Sequence, residues 1–282
     1  MRELDTVGVV GLGTMGAGIA QLCVEAGLET VAFEADPGRA EAARERIGHF
    51  LARKVEKGEL DPDAREQALA RLHLAASLDE LAPCSIVVEA VFEELAVKRE
   101  LVAALDEAAP DAILATNTSA LPVGAIAGGS AEPERVVGMH FFNPAPLMRL
   151  VEVVRAERSS DEAVETAEAL ARRLGRTPIV CADTPGFVVN RILIPLLNDC
   201  IRVLDETGVS PADLDQAMTL GAGWPLGPCA LVDLVGIDVH LHATEAMYTA
   251  LGEERFAPPA RLVELAAEGK LGRKTNAGFF TY

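Results

Sequence analysis

A histidine and a glutamate twelve residues apart are the side chains of this chain most suited to proton transfer. His140 ends the apolar run 136–139, and Glu152 lies inside a second apolar run, 150–154. A carboxylate in such a run needs a polar partner. If the Asn-Pro-Ala-Pro break at 143–146 folds the two runs back on each other, Glu152 can hold the His140 imidazole in one tautomer and stabilise its protonated form. The spacing therefore predicts a general base with an orienting carboxylate.

A glycine-rich turn near the start of the chain indicates a dinucleotide-binding site. Gly11, Gly13 and Gly16 have the spacing G-x-G-x-x-G between a β-branched run at 6–10 and a predicted helix at 17–26. Gly11 permits a tight turn, Gly13 lets the backbone approach a pyrophosphate, and Gly16 lets helix and strand pack closely. The helix N-terminus then faces the phosphate charge. The turn residues predicted to contact the cofactor are Gly11, Gly13, Thr14, Met15 and Gly16.

An acidic residue after the second predicted strand favours NAD over NADP. Glu34 follows the strand predicted at 30–33 and can accept hydrogen bonds from the adenosine ribose. A 2′-phosphate there would meet like charge, at a cost on the order of a few kcal/mol. The nearby Arg39 leaves some use of NADP open, and FAD uses the same glycine pattern.

The surrounding elements predict an α/β fold in which a mostly parallel sheet has helices on both faces, as in Rossmann-type domains. Beyond residue 183 no strand is predicted until the extreme end of the chain, and apolar residues at 187–204 recur at helical spacing. We therefore expect an NAD-binding domain at 1–183 and a smaller all-helical domain at 184–282 for substrate binding and dimerisation. Strands are predicted at 6–10, 30–33, 85–88, 112–115, 136–139, 150–154 and 178–181, and helices at 17–26, 39–57, 61–72, 95–109, 161–174, 187–204, 211–220 and 238–251.

The charge balance and the cysteine spacing exclude several classes of protein. Lys and Arg number 25 against 43 Asp and Glu, so the net charge of −18 disfavours a nucleic-acid partner. The five cysteines lie far apart, which indicates neither a disulfide framework nor a zinc site. His240 and His242 would point about 200° apart on a helix, which makes a poor metal pair. No metal site is predicted.

The N-terminal region indicates a cytoplasmic protein with no membrane partner. The uncharged segment 7–24 approaches the length of a membrane span, but its five glycines make it a poor spanning helix. The stretch before it carries Glu3 and Asp5 beside Arg2, where a signal peptide has net positive charge.

Two further groups of polar residues have both structural and functional interpretations. Ser119, in Thr-Asn-Thr-Ser after a predicted strand, and Asn190, in Thr-Pro-Gly-Phe-Val-Val-Asn-Arg, lie where caps and turns are common. A basic run in the predicted helix 39–57 is typical of a solvated face, but it is also the obvious place for an anionic group. Its members are Arg44, Arg46, Arg53, Lys54 and Lys57.

Six motifs, taken in order, resemble the L-3-hydroxyacyl-CoA dehydrogenase family over nearly the whole chain. The length of the chain resembles that of the single-function bacterial 3-hydroxybutyryl-CoA dehydrogenases rather than that of the multifunctional fatty-acid oxidation proteins. The motifs are the turn 11–16 with Glu34, Val-Glu-Ala-Val-Phe-Glu-Glu at 88–94, Asn-Thr-Ser at 117–119, His-Phe-Phe-Asn-Pro at 140–144, Asp-Thr-Pro-Gly-Phe-Val-Val-Asn-Arg at 183–191 and Leu-Gly-Ala-Gly-Trp-Pro-Leu-Gly-Pro at 220–228.

The resemblance implies an enzyme of fatty acid metabolism that oxidises the 3-hydroxyl group of a short acyl-CoA to a ketone with NAD, or catalyses the reverse reaction. It implies that His140 is the base, that Glu152 is its partner, and that Ser119 and Asn190 hydrogen-bond the reacting oxygen. Independently of the resemblance, the helical domain carries a surplus of apolar residues, which predicts a homodimer formed through it. Further cofactor contacts are expected from Glu93, Lys98, Asn117 and Asn143, and coenzyme A contacts from Arg53, Lys54 and Lys57.

Departures from the family pattern concern the acyl preference, and two other functions remain open at this point. Trp224, Leu226 and Cys229 replace the commoner Tyr, Met and Phe, and Asn276 stands where Gly is usual. The substrate could instead be carried on an acyl carrier protein or be a free hydroxy acid. A non-catalytic, crystallin-like protein that binds NADH is the alternative from another class.

Overall fold

The computed structural model describes residues 4–282. Two units divide the chain, Met1–Thr184 and Pro185–Tyr282. Arg2 and Glu3, on which part of the signal-peptide argument rests, lie outside the described residues.

An eight-stranded sheet forms the centre of the first unit, with the strand order β3-β2-β1-β4-β5-β6-β7-β8. Neighbouring strands are parallel except for β6 and β7, which are antiparallel. The strand order reverses between β1 and β4, the position at which sheets of this kind bind ligands. The mostly parallel sheet predicted from the sequence is confirmed. The strands are β1 (Thr6–Val10), β2 (Glu29–Phe33), β3 (Leu72–Ala75), β4 (Ile86–Glu89), β5 (Ile113–Thr116), β6 (Val136–Phe141), β7 (Leu150–Arg155) and β8 (Thr177–Ala182).

Helices cover both faces of this sheet. One face packs its β-branched side chains, such as Val9 and Val88, into a core with α1, α2, α3 and α6. On the other face lie α4 and α5, and a Cβ added to Gly138 of β6 would come within 2.8 Å of Val123 in α5. Within residues 4–184 the α-helices are α1 (Thr14–Glu25), α2 (Pro37–Glu56), α3 (Pro62–Ala70), α4 (Leu95–Ala108), α5 (Val123–Ala127) and α6 (Asp161–Arg173).

The sequence prediction was wrong at the edge of the sheet, where it extended one helix over 61–72. In the structure α3 ends at Ala70, and Leu72–Ala75 forms β3, which pairs in parallel with β2 from Thr30 to Phe33. The sequence of this strand, Leu-His-Leu-Ala, has no β-branched residue, so its local propensity is weak. Pairing with β2 decides its conformation.

The second unit is helical, as predicted. Leu197 and Ile201 of α7 pack with Val232, Ile237 and Leu262 from three other helices. The helix predicted at 211–220 is shorter, because α8 ends at Gln216 and a π-type turn, Ala217–Gly221, follows. Two helices were not predicted, α9 and α11. The helices are α7 (Val189–Thr207), α8 (Pro211–Gln216), α9 (Pro228–Val235), α10 (Ile237–Leu251) and α11 (Ala260–Ala267).

A buried polar cluster joins α7 to α10. Asn198 Oδ1 lies 2.9 Å from His240 Nε2, and Asn198 Nδ2 lies 3.4 Å from Thr244 Oγ1. Burial lowers the pKa of His240 to about 4, so its imidazole is neutral near pH 7. His242, two residues further on, is exposed.

The uncharged segment at 7–24 is strand β1, the glycine turn and most of α1. Over residues 4–282, none of the helices combines the length and the apolar character needed to cross a bilayer.

Candidate active site

His140 and Glu152 face each other across the antiparallel strands β6 and β7. They are direct register partners, and His140 Nδ1 lies 2.7 Å from Glu152 Oε2. The Glu152 side chain has no exposed surface, and that of His140 is 8% exposed. The Phe142 ring packs against the imidazole, with ring centroids 4.5 Å apart. The contact expected from the sequence is therefore present, and it orients the imidazole through Nδ1.

Asn117 ties the end of β5 to the end of β6 beside this pair. Its side-chain Oδ1 accepts a hydrogen bond from the backbone N–H of Phe141 at 3.0 Å. The backbone N–H of Asn117 donates to the Glu89 backbone carbonyl at 2.8 Å. The amide side chain thus fixes the strand position directly after His140.

A buried lysine–glutamate pair lies behind Asn117. The Lys98 ammonium donates to both carboxylate oxygens of Glu89, at 2.9 and 3.0 Å, and to the Asn117 carbonyl at 3.2 Å. Thr116 Oγ1 also donates to Glu89. Burial raises the pKa of Glu89, while Lys98 and Thr116 act in the opposite direction. The Lys98 side chain has no exposed surface. That it contacts a cofactor directly stays a prediction.

Glu93 organises the loop that carries Ser119. Its Oε1 accepts hydrogen bonds from Thr118 Oγ1 at 2.6 Å and from the backbone N–H groups of Ser119 and Ala120 at 2.7 and 3.1 Å. Burial acts to raise the pKa of Glu93, but these hydrogen bonds and the Lys98 charge outweigh it and lower the pKa below its usual range. Ser119 is exposed, and its hydroxyl lies 3.3 Å from the same Glu93 oxygen.

The glycine turn borders a cavity of about 560 Å³ whose lining includes Gly11, Gly13, Thr14, Met15 and Glu34. Gly11 has a φ of +83°, which favours glycine, and a Cβ on Gly16 would lie 1.7 Å from the Gly11 carbonyl oxygen. A Cβ on Gly13, by contrast, would meet no protein atom within 4 Å. Gly13 therefore leaves open space beside the N-terminus of α1, where no side chain caps the backbone N–H groups. The open space and the uncapped N–H groups together form a cradle at Gly13 that fits an anionic pyrophosphate.

The Glu34 side chain is hydrogen-bonded to the glycine turn itself. Its Oε2 accepts a hydrogen bond from the backbone N–H of Leu12 at 3.0 Å, and its side chain is 9% exposed. On the other side of the turn, Arg46 of α2 donates to the carbonyls of Leu12 and Gly13, at 3.0 and 3.2 Å. From the sequence, Arg46 is only one member of a basic run, because nothing in the spacing links α2 to this turn.

Two residues that support the site were given no role there by the sequence pattern. Glu89 was read only as part of the motif 88–94, although a carboxylate at the end of an apolar strand signals a buried partner. Asp183 accepts hydrogen bonds from the N–H groups of Val123 and Gly124, at 3.0 and 2.7 Å, and so caps α5 after the Ser119 loop. That contact spans 60 residues, and no local pattern indicates it.

The other predicted site residues take no part in the contacts described above. Asn143 is exposed and precedes Pro144, and Asn190 is the second residue of α7 in the second unit. Lys54 of α2 donates to both carboxylate oxygens of Glu25, at 2.8 and 2.7 Å. Arg53 lies beside it in the last turn of α2, and Lys57 is the C-terminal cap of that helix.

Comparisons with known proteins find similarity over nearly the whole chain. Residues 6–184 match the family model described as 3-hydroxyacyl-CoA dehydrogenase, NAD binding domain, and residues 186–282 match that of the C-terminal domain. A probable 3-hydroxybutyryl-CoA dehydrogenase from Deinococcus radiodurans is 40% identical over 98% of this chain and 99% of its own. A 3-hydroxyadipyl-CoA dehydrogenase from Escherichia coli is 39% identical over 100% of this chain and 60% of its own.

The crystal structure of (S)-3-hydroxybutyryl-CoA dehydrogenase from Ralstonia eutropha is also similar. It has a TM-score of 0.96 and 38% identity, and 99% of each chain is covered.

The chain belongs to the 3-hydroxyacyl-CoA dehydrogenase family. Its fold and its family define an oxidoreductase that uses NAD, and the cradle at Gly13 has the space and the backbone donors that this cofactor needs. The resemblance, the cofactor and the class of reaction predicted from the sequence are confirmed. The roles of the individual site residues stay predictions.

Proposed function

We propose that the protein interconverts a short-chain L-3-hydroxyacyl-CoA, 3-hydroxybutyryl-CoA in the first instance, and its 3-oxoacyl-CoA, with His140 as the proton-transfer group. The observation that carries this proposal is the buried cross-strand contact of 2.7 Å between His140 and Glu152. An imidazole held through Nδ1 presents Nε2 for proton transfer, and a carboxylate partner stabilises its protonated form.

In the oxidation direction, His140 Nε2 takes the proton of the substrate 3-hydroxyl group as the C3–O bond becomes a carbonyl. Bound NAD⁺ supplies the acceptor for the hydride that leaves C3. The two electrons of the C3–H bond thus leave with the hydride, and the proton remains on the imidazole until it is released to solvent. In the reduction direction, the imidazolium donates the same proton back to the forming alkoxide.

Ser119 and Asn190 are proposed to hydrogen-bond the reacting oxygen. Ser119 has support from its position, because Glu93 holds its backbone N–H at 2.7 Å in a loop of the same unit as His140. Asn190 is proposed on the residue match to the family alone. Glu93, Lys98, Asn117 and Asn143 keep their proposed place around the cofactor, the first three through the hydrogen-bonded network that ends at Phe141.

The coenzyme A end of the substrate is assigned to the end of α2. Because Lys54 already pairs with Glu25, we expect Arg53 and Lys57 to be the residues that attract the phosphates most strongly. The homodimer formed through the helical unit and the cytoplasmic location are part of this proposal as well.

The short acyl chain is supported by the names of two relatives, both 3-hydroxybutyryl-CoA dehydrogenases. The 39% identical relative named for 3-hydroxyadipyl-CoA makes a longer, charged acyl group the second candidate.

The test is NADH consumption with four 3-oxo substrates: acetoacetyl-CoA, 3-oxoadipyl-CoA, free acetoacetate and an acetoacetyl carrier-protein thioester. We expect kcat/KM to be at least about tenfold higher for acetoacetyl-CoA than for free acetoacetate or the carrier-protein thioester, since binding energy from coenzyme A is lost without it. We also expect it to be higher for acetoacetyl-CoA than for 3-oxoadipyl-CoA, whose acyl chain is longer and charged. A higher value for the carrier-protein thioester or for free acetoacetate would overturn the assignment of coenzyme A. A higher value for 3-oxoadipyl-CoA would overturn the short acyl chain alone.

A further inference from the structure

Arg46 of α2 contacts the glycine turn from the side opposite to the cavity. Its Nη2 donates to the backbone carbonyl oxygens of Leu12 and Gly13, at 3.0 and 3.2 Å, across 34 and 33 positions of the sequence. Gly13 borders the cavity, whereas Arg46 does not. The two carbonyl groups therefore point away from the cavity and towards α2.

The direction of these carbonyl groups fixes the direction of two N–H groups. In a planar trans peptide, the N–H group points opposite to the carbonyl group. The N–H groups that share these two peptide planes belong to Gly13 and Thr14, which both line the cavity. They lie at the start of α1, where no side chain caps the backbone N–H groups. By holding the carbonyl groups, Arg46 thus aims two N–H donors at the space assigned to the pyrophosphate.

The turn needs such restraints, because a glycine-rich segment has little conformational preference of its own. Its first peptide groups are held from the second strand. The Gly11 N–H donates to the Phe33 carbonyl at 2.9 Å, and the Leu12 N–H donates to Glu34 Oε2 at 3.0 Å. Arg46 restrains the peptide groups that follow these two.

A guanidinium suits this position for electrostatic reasons as well. A hydrogen bond to a carbonyl oxygen polarises the peptide group, which makes the N–H of the same peptide a stronger donor. The positive charge of Arg46 adds to the attraction that the N-terminus of α1 exerts on an anion. The Arg46 side chain is otherwise exposed, so its replacement should leave the core intact.

We propose that Arg46 is a positioning residue of the cofactor site, which sets the cradle at Gly13 by holding the two carbonyl groups behind it. It acts through the turn and contacts neither the dinucleotide nor the acyl-CoA. This role separates it from Arg53 and Lys57, the members of the same basic run that are assigned to the coenzyme A end. The inference rests on the NAD site of the proposed function and is independent of the role of His140.

The experiment measures ligand binding to the full chain without turnover, in the wild type and in Arg46→Gln. Fluorescence titration gives the dissociation constant of NADH, and competition against NADH gives those of ADP-ribose and adenosine. In Arg46→Gln we expect NADH and ADP-ribose to bind about five- to tenfold more weakly, the size of effect that one partly screened charge near a helix N-terminus has. Adenosine, which has no pyrophosphate, should bind within about twofold of the wild type.

Reduction of acetoacetyl-CoA separates this role from coenzyme A binding. In Arg46→Gln the KM for NADH should rise by about five- to tenfold, while kcat and the KM for acetoacetyl-CoA stay within about twofold of the wild type. Arg44→Gln is the matched control, because it removes the same charge from an exposed position of the same helix. It should leave all of these constants within about twofold, since solvent and salt screen exposed charges.

NADH affinity within about twofold of the wild type in Arg46→Gln would overturn the proposal. Equal weakening of adenosine and ADP-ribose would overturn it too, because the effect would then not concern the pyrophosphate. Equal weakening of NADH in Arg44→Gln would assign the effect to net charge, and a rise only in the KM for acetoacetyl-CoA would place Arg46 at the coenzyme A end. Failure of the proposed function would appear as absence of turnover, whereas the affinities are measured without substrate.

Discussion

At the scale of single residues, the site depends on carboxylates that hold other groups in position. Glu152 fixes the imidazole of His140, and Glu93 fixes the backbone of Ser119 and Ala120. The first contact could be predicted from the sequence, because two apolar runs joined by a break pair in antiparallel fashion and bring their polar members together. The second depends on a loop conformation that no spacing reveals.

The Glu152 carboxylate is expected to stabilise the proton that His140 accepts as well as to orient the imidazole. Glu152→Gln keeps the shape of the side chain but removes its charge, so the imidazolium formed during oxidation of 3-hydroxybutyryl-CoA loses its anionic partner. We expect kcat to fall by about 10- to 100-fold, less than in His140→Ala, since the imidazole remains.

Glu157→Gln, which changes an exposed carboxylate shortly after the same strand, is the control and should keep the wild-type kcat. A kcat in Glu152→Gln within about threefold of the wild type would contradict the role of Glu152 as the partner of His140.

At the scale of elements, strand ends and helix starts place the functional groups. The sequence located Glu34 and His140 correctly at the carboxyl ends of β2 and β6, because apolar β-branched runs are clear signals. It missed β3, whose conformation is set by pairing, and it missed the links from Arg46 and Asp183 to distant turns. Such contacts join residues 33 to 60 positions apart and leave no local pattern.

Substitutions in the glycine turn should separate effects on the stability of the fold from effects on cofactor binding. Gly13→Ala adds a Cβ that meets no protein atom within 4 Å, at a φ of −62°, so it should cost at most about 1 kcal/mol, the preference for Gly over Ala at an N-cap. It should nevertheless weaken NADH binding by at least about tenfold, because the Cβ projects towards the pyrophosphate position.

Gly16→Ala is the matched comparison. Its Cβ would lie 1.7 Å from the Gly11 carbonyl oxygen, so this variant should lose several kcal/mol of stability, about the size of other severe overpacking effects. Denaturant unfolding and NADH titration of both variants measure the two effects. Normal NADH affinity in a folded Gly13→Ala protein would contradict the assigned position of the dinucleotide.

The buried cluster between α7 and α10 should make the stability of the protein depend on pH. The pKa of His240 is about 4 in the folded chain, against about 6.5 when unfolded, so the unfolded state binds more protons between these values. Stability is therefore lost as the pH falls from about 6.5 towards 4, by about 3 kcal/mol in total.

His240→Gln removes this titration and should flatten the decline in the free energy of unfolding over that pH range. His242→Gln, on the exposed side of the same helix, should keep it. Equal slopes in wild type and His240→Gln would contradict the neutral, buried imidazole.

At the scale of the whole molecule, the helical unit exposes apolar side chains that the sequence indicated as a surplus. Ile192 and Leu196 lie one turn apart on α7 with exposures of 61% and 39%, and Leu234 and Val239 are 52% and 51% exposed. The helical character of this unit follows from the spacing of its apolar residues. The identity of its partner surface does not, because any apolar stripe can face either a core or a second chain.

A homodimer through this unit predicts sedimentation at twice the mass of the chain. Ile192→Asp should raise the dimer dissociation constant by at least about tenfold, because a charge would be buried at the interface. Val263→Asp, which changes an exposed residue of α11, is the control on a different helix. A wild-type chain that sediments as a monomer at micromolar concentration would contradict the prediction.

The central claim is that His140 transfers the proton beside a dinucleotide held at the glycine turn, and one pair of measurements tests it most directly. Acetoacetyl-CoA reduction and NADH affinity are measured on the same preparations of wild type and His140→Ala. We predict that kcat falls by about 10² to 10⁴, while the dissociation constant of NADH stays within about twofold. A variant that keeps kcat within about threefold of the wild type would contradict the account.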